Sequence, residues 1–81
     1  MKLSFTFIPA ADPEVEDSVT SLDNTNVFIQ HCFDGAFMLY KELPNNQVEF
    51  YPDNIPTLAK AKRAAINVSI GYTPSGKLVF V

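Results

Sequence analysis

The Asp34-Gly35 dipeptide lies between two runs of strand-forming residues, and it constrains the fold more than any other feature of this sequence. The run before it, residues 26–33, and the run after it, residues 36–43, are rich in aromatic and aliphatic side chains. A two-residue type I′ turn needs positive φ at both central positions, and Asp-Gly adopts them at low cost. The sequence therefore predicts a β-hairpin that turns at Asp34-Gly35.

A two-residue loop also fixes the register of this hairpin, because it sets Phe33 opposite Ala36. Side chains alternate between the two faces of a strand, so the register assigns every residue to a face. One face is predicted to carry Val27, Ile29, His31, Phe33, Ala36, Met38 and Tyr40. The other is predicted to carry Phe28, Gln30, Cys32, Phe37, Leu39, Lys41 and Leu43. Both faces are largely apolar, whereas a hairpin in a small antiparallel domain usually has one face in water.

A third strand is predicted after the hairpin. Residues 44–46 have turn chemistry, and residues 47–51 follow as a strand. A three-residue loop with Asn46 in the left-handed conformation sets Lys41 opposite Glu49, whereas a shorter loop sets two glutamates opposite each other. We predict the first register. It implies these further placements: Tyr40 opposite Phe50, with Val48 and Phe50 on the face of His31 and Met38.

Residues 56–67 are dense in strong helix formers and predict the main helix. Its buried stripe is predicted to consist of Leu58, Ala61, Ala65 and Ile66. Its outer side carries three cations, Lys60, Lys62 and Arg63, in the half of the helix where the macrodipole favours positive charge.

The remaining segments predict shorter elements. Residues 3–8 alternate as a half-buried strand. Residues 12–22 begin with Asp-Pro and space their apolar residues as a short helix does, with an acidic loop as the alternative. Residues 68–72 and 77–81 predict a C-terminal hairpin around a turn at residues 73–76.

Together these elements predict a single α+β domain over residues 1–81, with an antiparallel sheet of about five to six strands. One main helix packs on one face of the sheet. Residues 12–22 add a short second helix if they do not form an acidic loop. A chain this small buries only about 60% of its unfolded surface, so a partner or a second copy would add stability. With one cysteine, no signal-peptide pattern and no run of about 20 apolar residues, we expect a soluble cytoplasmic protein.

Residues with catalytic or metal-binding chemistry are sparse. His31 and Cys32 are adjacent, so in a strand they point to opposite faces and cannot form a nucleophile–base pair. One histidine and one cysteine do not supply a metal cluster. Glu14, Glu16 and Asp17 lack the spacing and the glycine of a calcium loop. We therefore expect a non-enzymatic chain without a metal or cofactor site.

One apolar surface stands out instead. If the predicted registers hold, Phe28, Phe37, Leu39 and Tyr51 form a contiguous patch, flanked by Lys41. A single helix covers only one face of a sheet, and exposed apolar patches mark interfaces. We interpret this patch as a partner-binding surface, with packing inside the monomer as the alternative.

The first functional hypothesis is therefore a non-catalytic module that binds a larger protein or a second copy of itself and acts by occluding a surface. Its small acidic format is similar to that of inhibitors, immunity proteins and phage anti-defence proteins such as anti-CRISPRs, although no motif carries a family resemblance. The alternative is a nucleic-acid-binding module that uses Lys60, Lys62 and Arg63 together with sheet aromatics. The net charge of −3 argues against this alternative, because phosphate neutralisation supplies most of such affinity.

Overall fold

The computed structural model describes residues 3–77. Five antiparallel strands form one sheet in sequence order, and an α-helix packs on one of its faces, as the α+β prediction required. The elements are β1 (Phe5–Ile8), β2 (Val19–Leu22), β3 (Val27–His31), β4 (Phe37–Leu43), β5 (Gln47–Phe50) and α1 (Leu58–Ser69). Within residues 3–77, no helix has the length and apolar character needed to cross a membrane.

The hairpin around Asp34-Gly35 forms, but its loop has three residues and not two. The Cys32 amide donates to the Ala36 carbonyl at 2.9 Å, and the Gly35 amide donates back to the Cys32 carbonyl at 3.0 Å. Gly35 has φ 86°, the left-handed position of a three-residue hairpin loop. The Asp34 carboxylate accepts from the Ala36 amide at 3.0 Å and so fixes the turn locally.

The longer loop shifts the register by one residue, so the predicted face assignment of β4 is wrong. His31 is opposite Phe37, not Met38. A slip of one residue moves every side chain of a strand to the other face. The residues of β3 lie on the faces predicted for them, whereas Leu39 shares the buried face of Ile29 and Tyr40 lies on the opposite face.

The register between β4 and β5 agrees with its prediction. Lys41 is opposite Glu49 and Tyr40 is opposite Phe50. The connecting 3₁₀ turn, Pro44–Asn46, contains two left-handed asparagines, Asn45 and Asn46. Pairing the lysine with the glutamate avoids the like-charge contact that a shorter loop would create.

The segment predicted as a short second helix is a loop followed by β2, so the helix prediction is wrong and the alternative, an acidic loop, is correct only for the first part of the segment. A single turn forms in residues 10–17, hereafter the acidic loop, where the Asp12 carbonyl accepts from the amides of Val15 and Glu16, each at 3.1 Å. The turn does not continue, because Val19 pairs with neighbours on both sides in the sheet. Valine, threonine and serine are weak helix formers, and cross-strand packing outweighs their apolar spacing.

The core lies between α1 and one face of the sheet. Its buried apolar residues are Leu22, Val27, Ile29, Leu39, Ala61, Ala64, Ala65 and Val68. Alanines along the buried side of the helix allow it to approach the sheet closely. Of the predicted stripe, Ala61 and Ala65 are buried in this core, and Leu58 and Ile66 are partly buried and pack against it.

Helix α1 ends two residues later than predicted, and the strand predicted at 68–72 is therefore wrong. Gly71, at φ 93°, donates to the Val68 carbonyl, and Tyr72 donates to the Asn67 carbonyl. These two bonds form a Schellman cap, in which glycine takes the left-handed position. The predicted turn at residues 73–76 is confirmed by a bond from the Gly76 amide to the Thr73 carbonyl. Of the strand predicted at 77–81, residues 78–81 lie outside the described residues.

Candidate functional site

A row of three aromatic side chains crosses the sheet on the face opposite α1. Phe28 of β3 stacks on Tyr40 of β4, with ring centroids 5.2 Å apart and an interplanar angle of 13°. Tyr40 in turn contacts Phe50 of β5, with centroids 5.3 Å apart and a tilt of 43°. The row follows from the register, because each residue is the cross-strand partner of the next. We call Phe28, Tyr40 and Phe50 the aromatic row.

The acidic loop lies beside the aromatic row. The Gln30 amide group donates to the Asp17 carboxylate at 2.8 Å, and the Ala10 amide donates to the Ser18 hydroxyl at 2.9 Å. Glu16 accepts from the Ala11 amide at 2.8 Å, so its carboxylate holds the loop closed on itself. These bonds hold the loop closed and anchor it to Gln30 of β3, the central strand of the sheet.

An open groove of about 1150 Å³ separates the acidic loop from β4 and β5. Its apolar lining includes Ile8, Val15, Val19, Phe33, Val48 and Phe50, and its acidic lining includes Glu14, Glu16 and Asp17. Tyr40 forms part of the floor. We call this feature the open groove.

Several apolar residues of the open groove are exposed to a degree that is unusual for a small domain. Phe33, at the tip of the hairpin, is 99% exposed, and Val15 in the acidic loop is 79% exposed. Phe50 is 49% exposed and Val48 is 46% exposed. Single exposed apolar residues are ordinary, but a contiguous set of them marks an interaction surface.

The partner-binding patch predicted from the sequence is divided between the two faces of the sheet. Leu39 is completely buried, while Phe37 and Tyr51 pack against the core beneath α1. Lys41 is opposite the buried Val27 and therefore lies on the α1 side. Phe28 alone of the predicted set lies on the open face. The prediction that these residues form one surface is wrong. The three-residue loop shifts the hairpin register by one residue, so each side chain of β4 lies on the face opposite to the one predicted.

The three cations predicted as a contact for nucleic acid or an acidic partner lie on α1. The ammonium group of Lys62 lies 5.2 Å from the centroid of the Phe5 ring, in a cation–π contact. Lys60 and Arg63 are exposed. Because α1 and the aromatic row are on opposite faces of the sheet, the predicted cations and the exposed sheet aromatics do not share a surface.

His31 is packed within an aromatic cluster on the α1 side. Its ring lies between Phe7, at a centroid distance of 5.3 Å, and Phe37, at 5.1 Å. Its Nε2 lies 2.7 Å from the hydroxyl of Thr20. Burial lowers the pKa of His31, because desolvation disfavours the imidazolium.

The thiol of Cys32 is poorly suited to nucleophilic chemistry. Burial raises its pKa, and the negative charges of Asp17 and Asp34 raise it further. A reactive cysteine needs the opposite environment, because the thiolate is the nucleophile. Among residues 3–77, no three potential metal-ligating side chains lie close enough together to hold a metal ion.

The lowered pKa of His31 predicts that the fold becomes less stable as the pH falls below about 6.5. In the unfolded chain the imidazole titrates near 6.5, and in the folded chain its pKa is lower. Between these values the unfolded state binds more protons, so the free energy of unfolding decreases as the pH falls below about 6.5. Urea denaturation at pH 7.5, 6.5 and 5.5 measures this decrease.

The control is His31→Gln, which retains a hydrogen-bonding group next to Thr20 but does not titrate. Its free energy of unfolding is expected to be flat across the same pH interval. Asp23 does not interfere, because hydrogen bonds from Ser4 and Thr6 lower its pKa below 3.8 and place its titration at more acidic pH. An equal decrease in the variant would contradict the assignment to His31.

Sequence reasoning missed most of the site. It correctly placed Tyr40 opposite Phe50, but assigned both to the buried side of the sheet. The available signal was the tripeptide Phe33-Asp34-Gly35, which also fits a three-residue loop with glycine in the last, left-handed position. That loop places the aromatic row on the open face. The acidic loop was considered only as the alternative to a helix over residues 12–22.

Comparisons of this chain with protein-family models, curated proteins and solved structures found no match.

Proposed function

We propose that this chain is a non-catalytic protein-binding module that docks a partner protein on the open face of its sheet. The observation that carries the proposal is the aromatic row, which crosses three strands on the face that α1 does not cover. This surface replaces the patch inferred from the sequence. Occupying a surface of the partner is the proposed mode of action, as in inhibitors and anti-defence proteins, because docking by itself requires no chemistry.

The composition of the open groove supports protein docking. Binding energy in protein interfaces concentrates in aromatic anchors at the centre of the patch, with charged residues at the rim. Tyr40 and Phe50 are such central aromatics, and the acidic loop supplies the charged rim. Phe33 projects from the hairpin tip beside them, almost fully exposed.

The electrostatics disfavour the nucleic-acid alternative. Aromatic side chains on a sheet do serve as stacking platforms for bases, but such surfaces also carry cations that neutralise phosphate. The described lining of the open groove has three carboxylates and neither lysine nor arginine. Lys60 and Arg63 lie on the opposite side of the sheet, too far around the molecule to neutralise a strand stacked on the aromatic row.

Affinity capture with a matched pair of variants tests the proposal. Phe50→Ser removes an exposed aromatic from the open groove, whereas Ile70→Ser removes an apolar side chain that is 62% exposed at the end of α1. Partner recovery from a lysate of the source organism is expected to decrease about ten-fold or more with the first variant and to remain unchanged with the second.

Light scattering of the pure protein distinguishes the two kinds of partner. A monomer that captures another protein supports a heterologous partner, whereas a concentration-dependent dimer that Phe50→Ser abolishes identifies a second copy. Equal capture by the parent chain and both variants would exclude the open face as the docking surface.

A further inference from the structure

The open groove is lined both by carboxylates and by aromatic rings. Glu14, Glu16 and Asp17 of the acidic loop form one wall, and Tyr40 and Phe50 of the sheet also line the groove. The carboxylates of Glu16 and Asp17 are partly engaged by the acidic loop and by Gln30, which holds this wall in position. A ligand for this groove therefore needs an apolar body and a positive charge.

Among cationic side chains, arginine fits this arrangement best. Its planar guanidinium stacks on aromatic faces and binds carboxylates through paired hydrogen bonds, while its three methylene groups cover apolar surface. Phe28 and Phe50 flank the Tyr40 ring on either side, and Phe50, which is 49% exposed on the edge strand β5, offers the accessible ring surface for such a stack. Lysine has a compact, strongly hydrated charge and lacks the planar shape.

We infer that the open groove binds an arginine side chain presented by an apolar segment of the partner protein. The inference rests on the proposed function and names the chemistry of the partner. The guanidinium stacks on the Phe50 ring, at the end of the aromatic row, and pairs with a carboxylate of the acidic loop. The neighbouring apolar residues of the segment contact Phe33 and Val48.

Charge complementarity supports this occupant over the alternatives. The whole chain carries a net charge of −3, and the described lining of the groove adds no positive side chain to its three acids. An acidic peptide or a phosphate group would be repelled there, and a purely apolar segment would leave the carboxylate wall without a charged partner.

A peptide titration tests the inference directly. The probes are acetyl-Leu-Arg-Leu-amide and the same peptide with citrulline, which keeps the size and planar shape of arginine but has no charge. Isotope-labelled full-length chain is titrated with each, and the amide signals of Tyr40, Phe50 and the acidic loop are followed by NMR. The arginine peptide is expected to shift these signals and to bind at least ten-fold more tightly than the citrulline peptide.

Two charge variants locate the interaction. Glu14→Gln removes one carboxylate from the groove wall, whereas Asp53→Asn removes the same charge from an exposed loop that does not line the groove. The first is expected to weaken arginine-peptide binding at least three-fold and the second to leave it unchanged.

The possible failures are distinguishable. Equal affinity for the arginine and citrulline peptides would overturn the arginine inference while leaving docking on the open face intact. Absence of any shift in the groove signals, or shifts confined to another surface, would also overturn it. The proposed function is judged separately, because the capture experiment with Phe50→Ser makes no assumption about the charge of the partner.

Discussion

Leu39→Ala is expected to lower the free energy of unfolding by about 2–5 kcal/mol. Leu39 is completely buried and belongs to the core between the sheet and α1, in the centre of β4. Removing three carbons there costs their transfer free energy and leaves a cavity that the close-packed alanines of α1 cannot fill. Denaturant titration followed by circular dichroism measures the change. For a domain of 81 residues this is a large fraction of the total stability.

The neighbouring Met38→Ala is the matched control. Met38 is half-buried on the open face, where it has fewer neighbours to lose, so truncating it is expected to cost less than half as much. The pair also tests the register. A two-residue hairpin loop would exchange the faces of Leu39 and Met38, and a larger cost for Met38→Ala would therefore contradict the structure.

The elements predicted correctly are those in which local chemistry and tertiary packing agree. Residues 56–67 combine strong helix formers with an apolar stripe, and the helix forms there with a shift of two residues at each end. The β4–β5 register was predicted because one alternative set like charges opposite each other. In both cases two independent principles favoured the same structure.

The wrong predictions occur where a local pattern has a competitor elsewhere in the chain. The apolar spacing of Val15, Val19 and Leu22 fits a helix, but Val19 instead pairs with both β1 and β3, and Leu22 pairs with β1. The strand predicted at 68–72 has the right alternation, yet Val68 completes the buried side of α1. Contacts between distant segments decide both, and a local pattern contains no information about them.

The candidate site was harder to predict than the fold, because it depends on whether the hairpin loop at Asp34-Gly35 has two residues or three. Asp34-Gly35 is equally compatible with a two-residue loop and with the last two positions of a three-residue loop. The choice exchanges the two faces of β4 and decides whether Leu39 or Tyr40 lies on the open face. Secondary structure is almost unaffected by this choice, whereas the residues that form the candidate surface depend on it entirely.

Phe33 is the extra residue that gives the hairpin a three-residue loop. Its deletion is expected to leave the fold stable and to weaken partner binding. Cys32 and Ala36 already form the last hydrogen-bonded pair of the hairpin. Without Phe33, Asp34 and Gly35 alone connect that pair, as a two-residue type I′ turn that suits both residues. The register of β4 is therefore retained, and the free energy of unfolding is expected to change by no more than about 1 kcal/mol.

Binding of the captured partner, in contrast, is expected to weaken about 30-fold on deletion of Phe33. The side chain is 99% exposed and borders the open groove, so the monomer gains almost no burial from it. An aromatic anchor at an interface contributes about 2 kcal/mol or more, which corresponds to this factor. Phe33→Ser, which keeps the three-residue loop, is expected to lose the same affinity. Isothermal titration calorimetry of both variants measures the loss. If the substitution binds normally and only the deletion fails, the loop conformation and not the phenyl ring is what the partner contacts.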